Sequence, residues 1–189
     1  GVQTCALPIL RPLTEEETKA FFEKLTKYLG PNVEQLINQT DDPHCFRLHK
    51  DRVYYISEKM LKVAGNFSRD NIVSMGTKFG RFNKNHKFRL HITALDYLAK
   101  YAQYKVWVKP SAEMTFLYGN HITKGGLARI SEGVPMYGGV IVYNMNNVAL
   151  GFGVTAKSTE EIRALDAASL VVLHQSDVGE YLRDETILA

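Results

Sequence analysis

The sequence is short of the residues that most often announce chemistry. It has two cysteines, Cys5 and Cys45, in 189 residues. That is too few for a disulfide scaffold, and the spacing fits no metal-ligand set. No run approaches the ~18 consecutive apolar residues of a membrane-spanning helix. Six prolines are scattered through the chain, with no Pro/Ser-rich linker, repeat or low-complexity tract. There is no GxSxG elbow, no HExxH and no HxxxH, which removes the commonest hydrolase and zinc-enzyme signatures. His44, His49, His86, His91, His121 and His174 lack metal-ligand spacing, so no metal site, cofactor or catalytic residue is expected. Cys45 opens an apolar stretch and reads as a small buried hydrophobe. What is present is an ordinary globular balance, 45% apolar and 23% charged. The length suits one domain or two small ones.

Charge is distributed unevenly. The net +3 conceals three regions. Residues 1–46 carry 4 Lys/Arg and 7 Asp/Glu, net −3; residues 47–109 carry 14 and 4, net +10; residues 110–189 carry 5 and 9, net −4. The densest stretch, Lys78 to Lys109, has eight cations against Asp96 alone. Such asymmetry speaks to partners, usually polyanions, and not to fold.

The first nine residues, GVQTCALPI, have no charge and no periodicity. They are what the DNA string GGAGTTCAGACGTGTGCTCTTCCGATC encodes, the end of a common sequencing adapter. We expect Gly1–Ile9 to be an adapter-derived artefact and the natural chain to start with Met in place of Leu10. A source genome with Met directly before Arg11-Pro12 agrees with that expectation; an exon encoding Gly1–Ile9 does not.

Thr14-Glu15-Glu16-Glu17 has the form of a capping box. Phe21, Leu25, Tyr28 and Leu29 follow at i, i+4, i+7 and i+8, the face of an amphipathic helix that Gly30-Pro31 ends. Pro31 can start a short helix through Leu36. Cys45–Leu48 and Arg52–Ile56 read as a hairpin around His49-Lys50-Asp51, and Ser57 as the cap of a helix from Glu58 to Ala64. A strand broken by Gly76 and Gly80 is expected over Ile72–Phe82. A half-buried strand runs through Phe88, Leu90 and Ile92, and Thr93-x-x-Asp96 caps a helix to about Tyr101. A second unit starts near Tyr104. It has a strand at Val106–Val108, a short helix from Ser111 to Tyr118, and apolar runs at Gly139–Tyr143, Val148–Val154 and Leu170–His174. A final helix spans Asp177–Arg183. Eight of the fourteen glycines fall in residues 119–153, which suggests a small barrel of short strands. The expected architecture is α+β: an N-terminal mixed α/β domain over residues 10–103, packed on a second domain over residues 104–189.

Gly151–Ser158 misses the P-loop pattern GxxxxGK[ST] only at Ala156. A Cβ at Ala156 disfavours the backbone that curls around phosphate, and no Asp ends the next apolar run. The better reading is a glycine-bent strand with Lys157 at its end. Binding features are stronger. Lys78, Arg81, Lys84, Lys87 and Arg89 interleave with Phe79, Phe82 and Phe88, cations that can reach phosphates and rings that either stack on bases or fill a core. Asn120–Arg129 is a polar, glycine-containing loop whose candidate RNA contacts are Lys124, Gly125, Gly126 and Arg129.

Longer segments carry a family likeness. Arg11–Glu17, Phe46–His49, Asp51–Tyr55, His86–His91, Thr93–Leu98, Phe116–His121 and Leu150–Val154 closely resemble the eukaryotic Nip-seven family of large (60S) ribosomal-subunit biogenesis factors, from Leu10 to Ala189. The resemblance implies an N-terminal α/β domain and a C-terminal PUA pseudobarrel. It also implies a non-enzymatic, RNA-binding role in pre-rRNA processing, within nucleolar pre-60S particles and beside other assembly factors. No membrane association is expected, and the isolated protein is expected to be a monomer. PUA domains meet RNA at the glycine-containing loop, here Lys124, Gly125, Gly126 and Arg129, with Lys157 a weaker member. The second unit's net −4 argues against a broad phosphate grip by that domain alone. The basic face of Lys78, Arg81, Lys84, Lys87 and Arg89 is therefore expected to share the contact. The alternative is a protein-interaction scaffold that touches RNA only incidentally.

Overall fold

Thr14 caps the first helix as its sequence requires: its hydroxyl accepts from the Glu17 N–H, while the Glu17 carboxylate accepts from the Thr14 N–H. Helix α1 (Glu15–Leu29) buries Phe21, Leu25, Tyr28 and Leu29. A 3-10 turn at Gly30–Asn32 leads into α2 (Val33–Ile37). These elements belong to a computed structural model that describes residues 10–68, 72 and 74–184. Gly1–Ile9, with Cys5, lie outside the described residues.

Strands β1 (His44–His49) and β2 (Arg52–Ser57) form the hairpin. Lys50 and Asp51 have φ of 47° and 65°, the double positive φ of a two-residue turn that matches strand twist. Ser57 caps α3 (Glu58–Ala64), as expected. Strand β3 is shorter than expected, Thr77–Phe82, and Gly80 lies inside it. A Cβ on Gly80 would stand 2.0 Å from the Arg89 carbonyl oxygen, so glycine permits close strand approach there and does not break the strand. Strand β4 (Phe88–Leu90) completes a four-stranded antiparallel sheet in the order β1-β2-β3-β4.

Two local expectations fail just beyond β4. Ile92 leaves the strand for a 3-10 turn at Ile92–Ala94, and Thr93 caps nothing: its hydroxyl donates to the Lys78 carbonyl. Helix α4 (Leu95–Tyr101) starts without a side-chain cap. A backbone carbonyl across the sheet outcompeted the helix end for the same hydroxyl.

The second unit comprises β5 (Lys105–Val108), α5 (Pro110–Leu117), β6 (Ile122–Thr123) and β7 (Leu127–Ile130). It continues through β8 (Gly139–Tyr143), β9 (Ala149–Thr155), α6 (Thr159–Ala164), β10 (Leu170–Asp177) and α7 (Glu180–Arg183). The strand order is β6-β10-β9-β8-β5-β7, with β5 parallel to β8 and the other pairs antiparallel. This is a nearly closed barrel. The strand β9 answers the P-loop question: Gly151 and Gly153 lie within it, where a Cβ would meet the Ser176 oxygen at 2.2 Å and the Leu173 oxygen at 2.6 Å. Ser158 and Glu161 form the capping box of α6.

The barrel has its own core around Val106, Val108, Phe116, Val140, Val142 and Val172. The principal core, however, crosses between the units. Phe21, Tyr28, Val53, Phe79, Phe88 and Leu98 join Ile141, Tyr143 and Phe152 of the barrel. Tyr28 meets Phe152 edge-on at 5.4 Å, and the Tyr143 hydroxyl donates to the Ala99 carbonyl at 3.0 Å. The opposite face of the N-terminal sheet is covered by α3 over Tyr54, Ile56 and Ala64. The remainder of that face holds the cations.

Candidate nucleic-acid interface

Strand register assembles a row of arginines. Arg52 of β2 pairs with Arg81 of β3, which pairs with Arg89 of β4, so the three lie side by side across the sheet. Like charges directly opposite one another destabilise a sheet, which makes such a row unusual unless something anionic meets it. Lys78 joins them through a bulge. Val53 pairs with Gly80 and Tyr54 with Lys78, which leaves Phe79 as the extra residue. That single insertion lets Lys78 and Arg81, three apart in sequence, share a face. Phe79, Phe82 and Phe88 turn the other way into the core and are all buried, so none is a platform for bases.

Arg52, Lys78, Arg81, Arg89 and His91 line a cleft of about 160 Å³, with Ser176, Glu180 and Asp184 of the barrel unit on its other side. At ~30 Å³ per water, that volume holds about five waters, the scale of a phosphate group and not of a nucleoside. Lys78 is only 5% exposed. Burial, with Arg52 and Arg81 nearby, pushes its ammonium down from 10.5 to about 8, against the pull of Asp184. Burial and the charges of Lys78, Arg81, Arg89 and Arg52 push His91 down to about 4, so its ring is neutral at physiological pH. Its buried Nδ1 has no hydrogen-bond partner among the described residues.

Arg52 and Arg81 also line a broader groove of about 610 Å³, together with Arg11, Lys50, Asn83, Lys84 and His86. Arg11 is held by Glu17 through two hydrogen bonds of 2.7 and 2.8 Å. The β3–β4 turn projects Lys84 and Lys87 into solvent, and the Asn83 carboxamide accepts from the Asn85 and Lys87 N–H groups to hold that turn. The structure thus groups Lys78, Arg81 and Arg89 in the cleft and Lys84 in the adjoining groove, with Lys87 on the turn beside them. Arg52, His91, Arg11 and Lys50 were not singled out by sequence. Arg52 could have been found only from its register opposite Arg81.

The barrel residues lie elsewhere and are more committed. The Lys124 ammonium donates to the Ile162 carbonyl at 2.9 Å. The Gly125 N–H donates to the Ala167 carbonyl, and Gly126 is buried with Ala112 so close that a Cβ would stand 2.6 Å away. Gly125 and Gly126 line a shallow recess with Ser111, Thr115 and His121. The Arg129 guanidinium lies 4.3 Å over Trp107, which stacks in turn on Tyr143. Lys157 reaches Glu161 at 4.0 Å on the surface.

His174, Asp177 and Glu180 approach as a metal site would. Their ligand atoms are already engaged: the Asp177 carboxylate meets the His174 ring at 2.6 Å and Arg183 at 2.7 Å, and Glu180 accepts from the Ser176 hydroxyl. The cluster fixes the end of β10 to α7. No helix among the described residues is long and apolar enough to cross a membrane.

Two family models match the chain: the NIP7/UPF0113 pre-PUA domain over residues 10–92 and the UPF0113 PUA domain over residues 104–186. A Xenopus tropicalis protein named 60S ribosome subunit biogenesis protein NIP7 homolog is 63% identical over 179 residues, which covers 95% of this chain and 99% of that one. The Schizosaccharomyces pombe protein named 60S ribosome subunit biogenesis protein nip7 is 59% identical over the same shares. Among solved structures, a PUA-domain protein from Aeropyrum pernix superposes with a TM-score of 0.59 at 12% identity, covering 94% of this chain and 90% of that one. A PUA-domain protein from Thermoplasma acidophilum gives 0.54 at 14% identity, over 92% and 96%. These last two speak to fold alone.

Proposed function

The chain belongs to the NIP7/UPF0113 family, and from that premise we propose that it is a non-enzymatic, RNA-binding assembly factor of the 60S ribosomal subunit. It acts on pre-rRNA processing inside nucleolar pre-60S particles, alongside other assembly factors, and is a monomer on its own. The observation that carries the RNA reading is the in-register row Arg52–Arg81–Arg89 beside Lys78. A sheet bears that repulsion at a cost, and the backbone phosphates of RNA relieve it. The groove continuing past Lys84 extends the grip along a strand. In the barrel, Gly125, Gly126 and the Arg129–Trp107 pair supply shape contacts to folded RNA. Lys124 and Lys157 play a smaller part, since their charges already have partners in the chain.

The scaffold reading has one observation in its favour. Met60 and Val63 of α3 and Phe67 after it point outward at i, i+3 and i+7, each about half exposed. Charge reversal at Lys84, Lys87 and Arg89 separates the two readings. For an RNA binder, pre-60S association and crosslinking to pre-rRNA in cells collapse. For a scaffold, particle association persists.

A further inference from the structure

The arginine cleft has an acidic wall, and that wall comes from the other unit. Its acids, Glu180 and Asp184, belong to and follow α7, whereas all its cations stand on the N-terminal sheet. The two acids differ in freedom. The Glu180 carboxylate accepts from the Ser176 hydroxyl at 2.6 Å and from the Asp177 N–H, so it is built into the end of β10. Asp184 lies past the last turn of α7 on an exposed stretch of chain. Helix α7 itself is anchored, because Arg183 binds the buried Asp177 carboxylate and the Leu117 carbonyl. Asp184 is thereby held at the mouth of the cleft.

We infer that Asp184 is an intramolecular competitor for the arginine cleft, which RNA phosphates must displace and which sets the discrimination between RNA and small anions. The inference rests on the reading of the arginine row as the RNA grip. A carboxylate at the mouth partly relieves the mutual repulsion of Arg52, Arg81, Arg89 and Lys78. It offers each incoming phosphate a smaller gain than four bare cations would. A lone phosphate finds only the cleft and meets this competition in full. A polyanion also engages the groove lined by Lys50, Lys84 and His86, and those extra contacts carry it past the carboxylate. The affinity for isolated anions is thus lowered more than the affinity for RNA.

The test is fluorescence anisotropy on the full chain with a labelled hairpin of large-subunit rRNA, over a salt series. Asp184→Asn is expected to tighten binding about 2- to 5-fold near 0.1 M salt, the range of partly solvated charge pairs. Asp184→Lys is expected to tighten it further and to steepen the log–log salt slope by ~0.7–0.9, one added phosphate contact. Inorganic phosphate should displace RNA from Asp184→Asn at concentrations at least about threefold lower than from the parent protein. Glu132→Gln, an equal change of net charge on the surface pair with Arg163, is the control and should leave affinity within about twofold. If Asp184→Asn and Asp184→Lys bind no more tightly than Glu132→Gln while Arg81→Glu/Arg89→Glu still abolishes binding, the competitor is refuted and the RNA grip stands. If Arg81→Glu/Arg89→Glu leaves binding intact, the grip itself is refuted, and the competitor with it.

Discussion

Replacing Arg81 by Gln should make the protein more stable and worse at binding RNA. Arg81 is the middle of the row, flanked in register by Arg52 and Arg89. A like-charged cross-strand pair costs about 0.2–1 kcal/mol, so two such pairs place the relief at ~0.5–2 kcal/mol. Glutamine keeps most of the aliphatic stem, and little packing is lost. In a chain of this length, ~1 kcal/mol moves the melting temperature by about 2–4 °C. A rise of about 2–6 °C is therefore expected in dilute buffer. It should shrink towards zero near 1 M salt, where the screening length falls to about 3 Å. The RNA affinity should drop about tenfold or more, the worth of one charge-assisted contact. The salt slope should fall by ~0.7–0.9. Differential scanning calorimetry at two salt concentrations, with anisotropy on the same samples, reads both effects. A melting temperature that falls at low salt means that the row is not repulsive. An unchanged salt slope means that Arg81 touches no phosphate. Either result refutes the reasoning.

Lys78 predicts a pH dependence. Its ammonium titrates near 8, so RNA affinity should weaken between pH 7 and 9, and Lys78→Arg should hold affinity across that range; a decline of equal size in the variant removes Lys78 from the grip. The same depressed value means that the unfolded chain binds the extra proton between about 8 and 10.5. This group's contribution to stability should therefore rise with pH over that window, as urea titrations can measure. Glu17 behaves oppositely: the Arg11 hydrogen bond and the Thr14 cap hold its carboxyl at about 2, below its ordinary 4.5. The stability it contributes is complete above about 4.5 and is lost as pH falls towards 2. Glu17→Gln should thus narrow the gap in melting temperature between pH 6 and pH 3. Gly151→Ala should destabilise by about 1–3 kcal/mol in chemical denaturation, because its Cβ would stand 2.2 Å from the Ser176 oxygen.

What was legible in the sequence was local. The caps at Thr14, Ser57 and Ser158 are decided within four residues, and each forms where its spelling says. The bounds of β8 and the burial of Phe88 and Leu90 likewise follow from short apolar patterns. Thr93 had the same spelling as a cap, but the Lys78 carbonyl, fifteen residues away, claimed its hydroxyl. Strands β6 and β7, of two and four residues, are too short to carry a period. The basic stretch announced cations, yet the face each one takes depends on register. One extra residue, Phe79, puts Lys78 on the side of Arg81, and pairing between β2 and β3 brings Arg52 to them. The commitment of Lys124 to the Ile162 carbonyl depends on where α6 ends, 38 residues on. Patterns read along the chain carry no information about such meetings.

The core that runs through both units has a consequence for how the protein can be taken apart. Tyr28 lies against Phe152, Gly139 is pressed so close to the Lys27 carbonyl that a Cβ would stand 2.7 Å from it, and Tyr143 is bonded to Ala99. Separating the halves would bare Ile141, Tyr143 and Phe152 on one side and Tyr28 on the other. The barrel is therefore not an interchangeable module that can be cut out or swapped for another of the same architecture without redesign of that seam. The chain should melt in one cooperative step, and the barrel expressed alone should be prone to self-association. The same rigidity holds the acids of α7 and the arginines of the sheet at a fixed spacing, so the RNA cleft is a property of the undivided molecule.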